Sequence, residues 1–222
     1  ALDSLHDVTA MGTLTHVREM LSLNDLPALV HLPELSSELV FGSDETPLSL
    51  GLIRLPALID YSPLSSIERL GTLGIQDTIL TNVDFLSGVT EITKLSILED
   101  ESFVDIDALA NANIQEFELE APGIHQLPEF PQVQDVEKLS LRGLGISDFS
   151  AFTALTTVET TTRIVRMPNL ESPVFPVMQS SGNFVAACNP LFENAEGEAF
   201  VASIDVAGNV DIHSNGSAYD CD

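Results

Sequence analysis

Apolar and polar positions recur along this chain with a long, regular period. A short apolar-x-apolar run appears as Leu73-Gly74-Ile75, Leu95-Ser96-Ile97, Phe117-Glu118-Leu119 and Leu139-Ser140-Leu141, each 22 residues after the last. An apolar residue stands three positions before each run (Leu70, Ile92, Ile114, Val136), and a second apolar pair follows it, as in Leu80 and Val83, Ile124 and Leu127, or Ile146 and Phe149. Such a period marks a repeat architecture, in which each unit buries its apolar face only by stacking on its neighbours. The runs read as strands, whose side chains alternate between faces. A unit of 22 residues is too short for a strand plus a long helix. The return leg is therefore expected to be extended or 3₁₀, with little α-helix anywhere.

The repeat loosens toward both ends. LSLNDLPAL, residues 21–29, returns 29 residues later as LGLIRLPAL, residues 50–58, with Leu39-Val40-Phe41 as a candidate strand between them. GSDETP, residues 42–47, has the composition of an inserted loop. Downstream, Val158-Glu159-Thr160 is read as the next strand in a shortened unit, followed by a proline-broken stretch, MPNLESPVFP. Ile204-Asp205-Val206 and Val210-Asp211-Ile212 flank Ala207-Gly208-Asn209, which suits either a hairpin or one more irregular coil. The organisation expected is a solenoid over 1–179, most regular over about 67–160, with 180–222 as a C-terminal cap covering its open end.

Written out in this way, VDFLSGVTEITKLSI (residues 83–97) and ISDFSAFTALTTV (residues 146–158) resemble the 22-residue leucine-rich repeats of internalin-type bacterial surface proteins. The resemblance covers about residues 60–165. It implies an α/β-type solenoid that is mostly β, a right-handed coil with a parallel concave sheet and an extended or 3₁₀ convex side. It also implies protein recognition at a cell surface. At the position after the strand, where those repeats carry an asparagine that ladders between coils, this chain has Thr78, Asp100, Pro122 and Leu144. No asparagine ladder is expected from them. A looser similarity links the chain to receptor L-domains, which share irregular coils and disulfide-bearing ends.

Charge narrows the choice of partners. Thirty-four acidic residues against eight basic ones give a net charge of −26, which repels nucleic acid phosphates and anionic headgroups. No run of about 18 apolar residues suggests membrane insertion, and the opening ALDSLHDV lacks a signal peptide's basic and apolar regions, as in an already processed soluble chain. Cys188 and Cys221, both near the C-terminus and without metal-ligand spacing, read as one disulfide or as two buried thiols. The disulfide reading places the protein in an oxidising compartment, secreted, surface-displayed or periplasmic. The sequon Asn215-Gly216-Ser217 matters only in a glycosylating host.

The alternation also defines an outward grid: Thr72, Gly74, Gln76; Lys94, Ser96, Leu98; Glu116, Glu118, Glu120; and Lys138, Ser140, Arg142. Both lysines of the chain occupy one repeat position two coils apart, with Glu116 between them. They are expected either to form a salt ladder Lys94–Glu116–Lys138, with Arg142 beside Glu120, or to mark where a partner docks. Lys94, Glu116, Glu118, Glu120, Lys138 and Arg142 are thus the candidate ligand-binding set. Asp100, Asp105 and Asp107 form an acidic loop that could hold calcium, although without EF-hand spacing, and no other cofactor is suggested. The five histidines are scattered, and no nucleophile elbow or phosphate-binding loop occurs, so no catalysis is expected. The expectation is a monomeric binding or adhesion module that recognises a protein or a surface glycan. Its alternative is a calcium-stabilised or purely structural module of a larger surface protein.

Overall fold

In the computed structural model, residues 8–36, 39–43 and 46–216 are described, and the 22-residue period becomes one parallel strand plus one return leg per turn. The strands are β1 (His16–Val17), β2 (Met20–Asn24), β3 (Val40–Phe41), β4 (Leu48–Leu55), β5 (Arg69–Thr78), β6 (Glu91–Leu98), β7 (Asn113–Glu120), β8 (Asp135–Arg142), β9 (Thr157–Val165) and β10 (Ser180–Ala187). Among the described residues a single α-helix, α1 (Asn194–Val201), precedes β11 (Asp205–Val206) and β12 (Val210–His213). From β2 to β12 every neighbouring pair is parallel, in a β-solenoid of about nine turns with only about 10% helix. Short 3₁₀ segments, Ser62–Leu64, Asp84–Leu86 and Asp107–Leu109, lie on the return legs. Asx-type turns open them: Asp60, Asn82 and Asp105 accept hydrogen bonds from the backbone N–H two residues on, at 2.9, 3.1 and 2.6 Å.

The register follows the apolar pattern because each inward side chain stacks on its equivalent in the next turn. Leu73, Leu95, Phe117 and Leu139 pair in sequence, as do Ile75, Ile97, Leu119 and Leu141, and all eight are buried. A slip of one residue would turn every one of them outward. Leu80, Val83, Ile124, Leu127, Ile146 and Phe149 are buried on the return side, as their spacing predicts. In the later turns phenylalanines fill the core: Phe149 and Phe175 stack with centroids 4.2 Å apart, and Phe117, Phe130 and Phe152 pack at 5.4–5.7 Å. Such pairs contribute about 0.5–1.5 kcal/mol each beyond area burial.

Upstream, Leu21 and Leu23 pair with Leu50 and Leu52, so the 29-residue separation is one long turn. The extra residues form an excursion in which β3 pairs with β1 in a separate two-stranded sheet, closed by Gly42 at a φ of +66°. Downstream, two expectations are corrected. The next strand's inward pair is Thr162 and Ile164, not Val158 and Thr160: Val158 aligns with Val136, and a bulge at Glu159 and Thr160 shifts everything after it. Thr162 escaped notice because it is polar, yet it is fully buried, its hydroxyl 2.9 Å from that of Ser181. The segments around Ala207-Gly208-Asn209 do not form a hairpin, since β11 and β12 both pair in parallel with β10. Cys221 and Ser217 lie outside the described residues, and with them the expected disulfide and the end of the sequon.

An inward column follows the strands. At the end of most strands one residue has positive φ (Asp25, Arg54, Asp77, Glu99, Gly143, Arg166, Cys188, Ser214), and the residue after it turns into the core. These inward residues are Leu26, Leu55, Thr78, Asp100, Leu144, Met167, Asn189 and Asn215, all buried. In the turn after β7 the buried residue is Ala121 rather than Pro122, because proline cannot follow the same path. Asp100 Oδ2 accepts from the Thr78 N–H at 3.1 Å and its hydroxyl at 2.7 Å. Asn189 donates to the Ile164 carbonyl at 3.1 Å and accepts from the Met167 N–H at 2.9 Å; one turn on, Asn215 donates to the Ala186 carbonyl at 2.8 Å. A short asparagine ladder therefore does exist, two turns beyond the positions where its absence was inferred.

Candidate functional site

The outward grid forms as the alternation predicts. Thr72, Lys94, Glu116, Lys138, Thr161 and Asn183 make one row across β5 to β10. Gly74, Ser96, Glu118, Ser140, Arg163 and Val185 make the second; Gln76, Leu98, Glu120, Arg142, Val165 and Ala187 align in the third.

The charge pairing differs from the expected ladder. Lys94 Nζ lies 2.8 Å from Glu118 Oε2 and Lys138 Nζ lies 3.7 Å from Glu118 Oε1, so both lysines converge on Glu118 rather than on Glu116 directly between them. Glu118 sits between two short side chains, Ser96 and Ser140, and the long lysine stems lean diagonally into the space those serines leave. The Lys94 hydrogen bond lowers the Glu118 pKa against the opposing effect of burial, and Lys138 adds to the lowering. The Lys94 pKa rises for the reciprocal reason. Arg142 Nη1 stands 3.2 Å from Glu120 Oε2, as expected.

The bulge in β9 places Arg163 in the middle of the outward face, beside Ser140 and Val185. A trough of about 540 Å³ opens there, lined by Arg142, Arg163, Arg166, Val165, Val185, Ala187, Asp211 and His213, among others. Asp211 and His213 face each other on its far side, Nδ1 to Oδ1 at 2.9 Å. Arg163's setting and the trough were missed in the sequence because the register beyond the bulge cannot be counted from a fixed period.

Two of the calcium candidates, Asp100 and Asp105, hold backbone groups of their own loop and of the neighbouring turn. Asp100 is 1% exposed, with Oδ2 held by Thr78 and Oδ1 accepting from the Ser102 N–H at 3.2 Å. Asp105 opens the 3₁₀ segment in which Asp107 lies. Among the described residues no group of three or more His, Cys, Asp or Glu is arranged to hold a metal. On the return side a pocket of about 620 Å³ is lined by Asp107, His125, Glu129 and Asp148 among others. Burial, then the Asp105 carboxylate, raises the Asp107 pKa, whereas hydrogen bonds from Ser150 hold Asp148 low. A smaller recess holds Tyr61, whose ring stacks on Phe85 at 5.2 Å and whose buried hydroxyl has no hydrogen-bond partner among the described residues.

The threonines of the Thr156–Arg163 run are partly taken up within the fold. Thr156 and Thr160 spend their hydroxyls on the Gln134 and Glu137 carbonyls of the preceding turn, and Thr162 points inward. Asn215 is 9% exposed with its amide hydrogen-bonded, so the folded chain does not offer it as a glycan acceptor. No helix among the described residues is long and apolar enough to cross a membrane.

Comparison of the chain with protein-family models, with curated proteins and with solved structures returned no significant match.

Proposed function

We propose that this chain is a non-catalytic recognition module of the leucine-rich-repeat type, secreted or displayed at a cell surface, which binds a protein partner through the outward, concave face of its main sheet. One observation carries the reading: five of the eight basic residues, Lys94, Lys138, Arg142, Arg163 and Arg166, lie on or just after β6, β8 and β9 of that face, with the glutamates of β7 between them. On a chain of net charge −26, such a mixed-charge strip gathers most of the cations on one face, and complementary charge fixes the register of a docked partner and rejects others. The scarcity of aromatic side chains on the face weakens the case for a stacked sugar and for an aromatic hot spot alike, and leaves charge as the basis of recognition.

The test is capture from surface extracts by wild type and by a Lys138→Glu, Arg142→Glu variant of matched circular dichroism. A partner retained by wild type alone supports the reading. Equal retention by both removes the face, and retention of nothing by either shifts weight to a structural module.

A further inference from the structure

We infer that the trough beside Arg163 receives a single carboxylate side chain of a protein partner whose surrounding surface is basic. The inference rests on the binding reading above and specifies its centre. Three of the cations on the face are matched: Lys94 and Lys138 share Glu118, and Arg142 holds Glu120. Arg163 is exposed and, among the described residues, makes no ion pair, in a chain with 34 acids and 8 bases.

Its surroundings explain why. The outward positions next to it are Ser140 and Val185 on the flanking strands and Thr161 and Val165 on its own, with Lys138 and Arg142 at the nearer corners. None is acidic, and two are cations. Asp211 lies two strands away, about 10 Å by the strand spacing, and is engaged by His213. Glu118 lies equally far on the other side and is engaged by the two lysines, so Arg163 is left as the unmatched guanidinium of the face, poised for an incoming anion, which it can take in bidentate geometry.

The floor adds the second requirement. Val165 is 7% exposed and Ala187, its partner on the next strand, is 4% exposed, with half-buried Val185 beside them, so a group entering the trough sheds water on an apolar base. The ion pair then forms in a medium of lower dielectric, where it is stronger than on an open surface. The wider molecule sets the third. A polyanion would meet the net charge of −26, whereas one carboxylate set among lysines satisfies Arg163 and the acidic surroundings together. This excludes a sulfated glycan as the preferred occupant.

The test is an NMR titration of the isotope-labelled full chain with two synthetic peptides, Ac-Lys-Val-Glu-Val-Lys-amide and its Gln counterpart. The Glu peptide is expected to give saturable shifts at the amides of Arg163, Val165, Val185 and Ala187, and the Gln peptide to bind at least about tenfold more weakly. Arg163→Gln should lose that preference and Arg163→Lys should keep part of it, both with unchanged circular dichroism because the side chain is exposed. Equal binding of the two peptides, shifts mapping elsewhere, no saturable shifts up to about 1 mM peptide, or an unchanged preference in Arg163→Gln would each overturn the inference. So would a sulfated oligosaccharide that occupies the trough more tightly than the Glu peptide. The capture experiment stands apart: a partner lost on Lys138→Glu, Arg142→Glu but indifferent to Arg163→Gln leaves the module standing and removes only this site.

Discussion

Lys94 reaches past Glu116, the residue directly opposite it, and sets its Nζ 2.8 Å from Glu118 on the neighbouring strand. Glu118 also meets Lys138, so one carboxylate links three successive turns on a partly exposed face. Glu118→Gln is expected to cost only about 0.2–1 kcal/mol at neutral pH, because water and salt screen such pairs. The pH dependence has a definite sign. The folded-state pKa of Glu118 is depressed, so its contribution is present above the ordinary glutamate range and is lost as pH falls through the folded value. Urea melts at neutral pH and near pH 3 should show a smaller acid-induced loss for Glu118→Gln than for wild type. An identical loss in both proteins argues against the pairing.

Asp100 is structural. Asp100→Ala leaves the buried Thr78 N–H and hydroxyl without their acceptor and should cost about 1–3 kcal/mol, with Asp100→Asn milder because its amide oxygen can still accept. Since both carboxylate oxygens are taken within the chain, the melting temperature should be the same in calcium and in chelator. A rise in calcium that disappears in Asp100→Asn would reassign the residue to a metal site.

The amide ladder ties the last described turns together. Asn189 serves the Met167 N–H, the Ile164 carbonyl and Asn215 at once, so Asn189→Ala strands several buried groups. We expect a loss of about 2–4 kcal/mol, since each unsatisfied group costs about 1–3. Hydrogen exchange should accelerate first in β9, β10 and β12 while β5 to β7 stay protected, because turns couple mainly to their neighbours.

Gly182 on β10 faces the bulge of β9. A Cβ there would overlap the carbonyl oxygens of Glu159 and Thr160, backbone that cannot swing away. Gly182→Ala should therefore cost about 1–3 kcal/mol by overpacking. It should also perturb the amides of Thr161 to Val165, which a neutral surface substitution would leave in place.

What the sequence determined by itself was the period and the alternation. Apolar side chains must leave water together, and a strand exposes every second residue, so counting by two and by 22 placed Leu73 to Leu141 inward and the Lys94 and Lys138 row outward. The tertiary structure decided what depends on distance between turns. One extra residue at Glu159 and Thr160 reset the register, moved Arg163 onto the open face and hid polar Thr162 in the core. Two short serines decided that the lysines meet on Glu118, and the path after Pro122 decided that Ala121 rather than residue 122 faces inward. Bulges, side-chain reach and buried amide pairs are set by residues about 22 positions apart in the chain but adjacent in space, and no local pattern records which of them will touch.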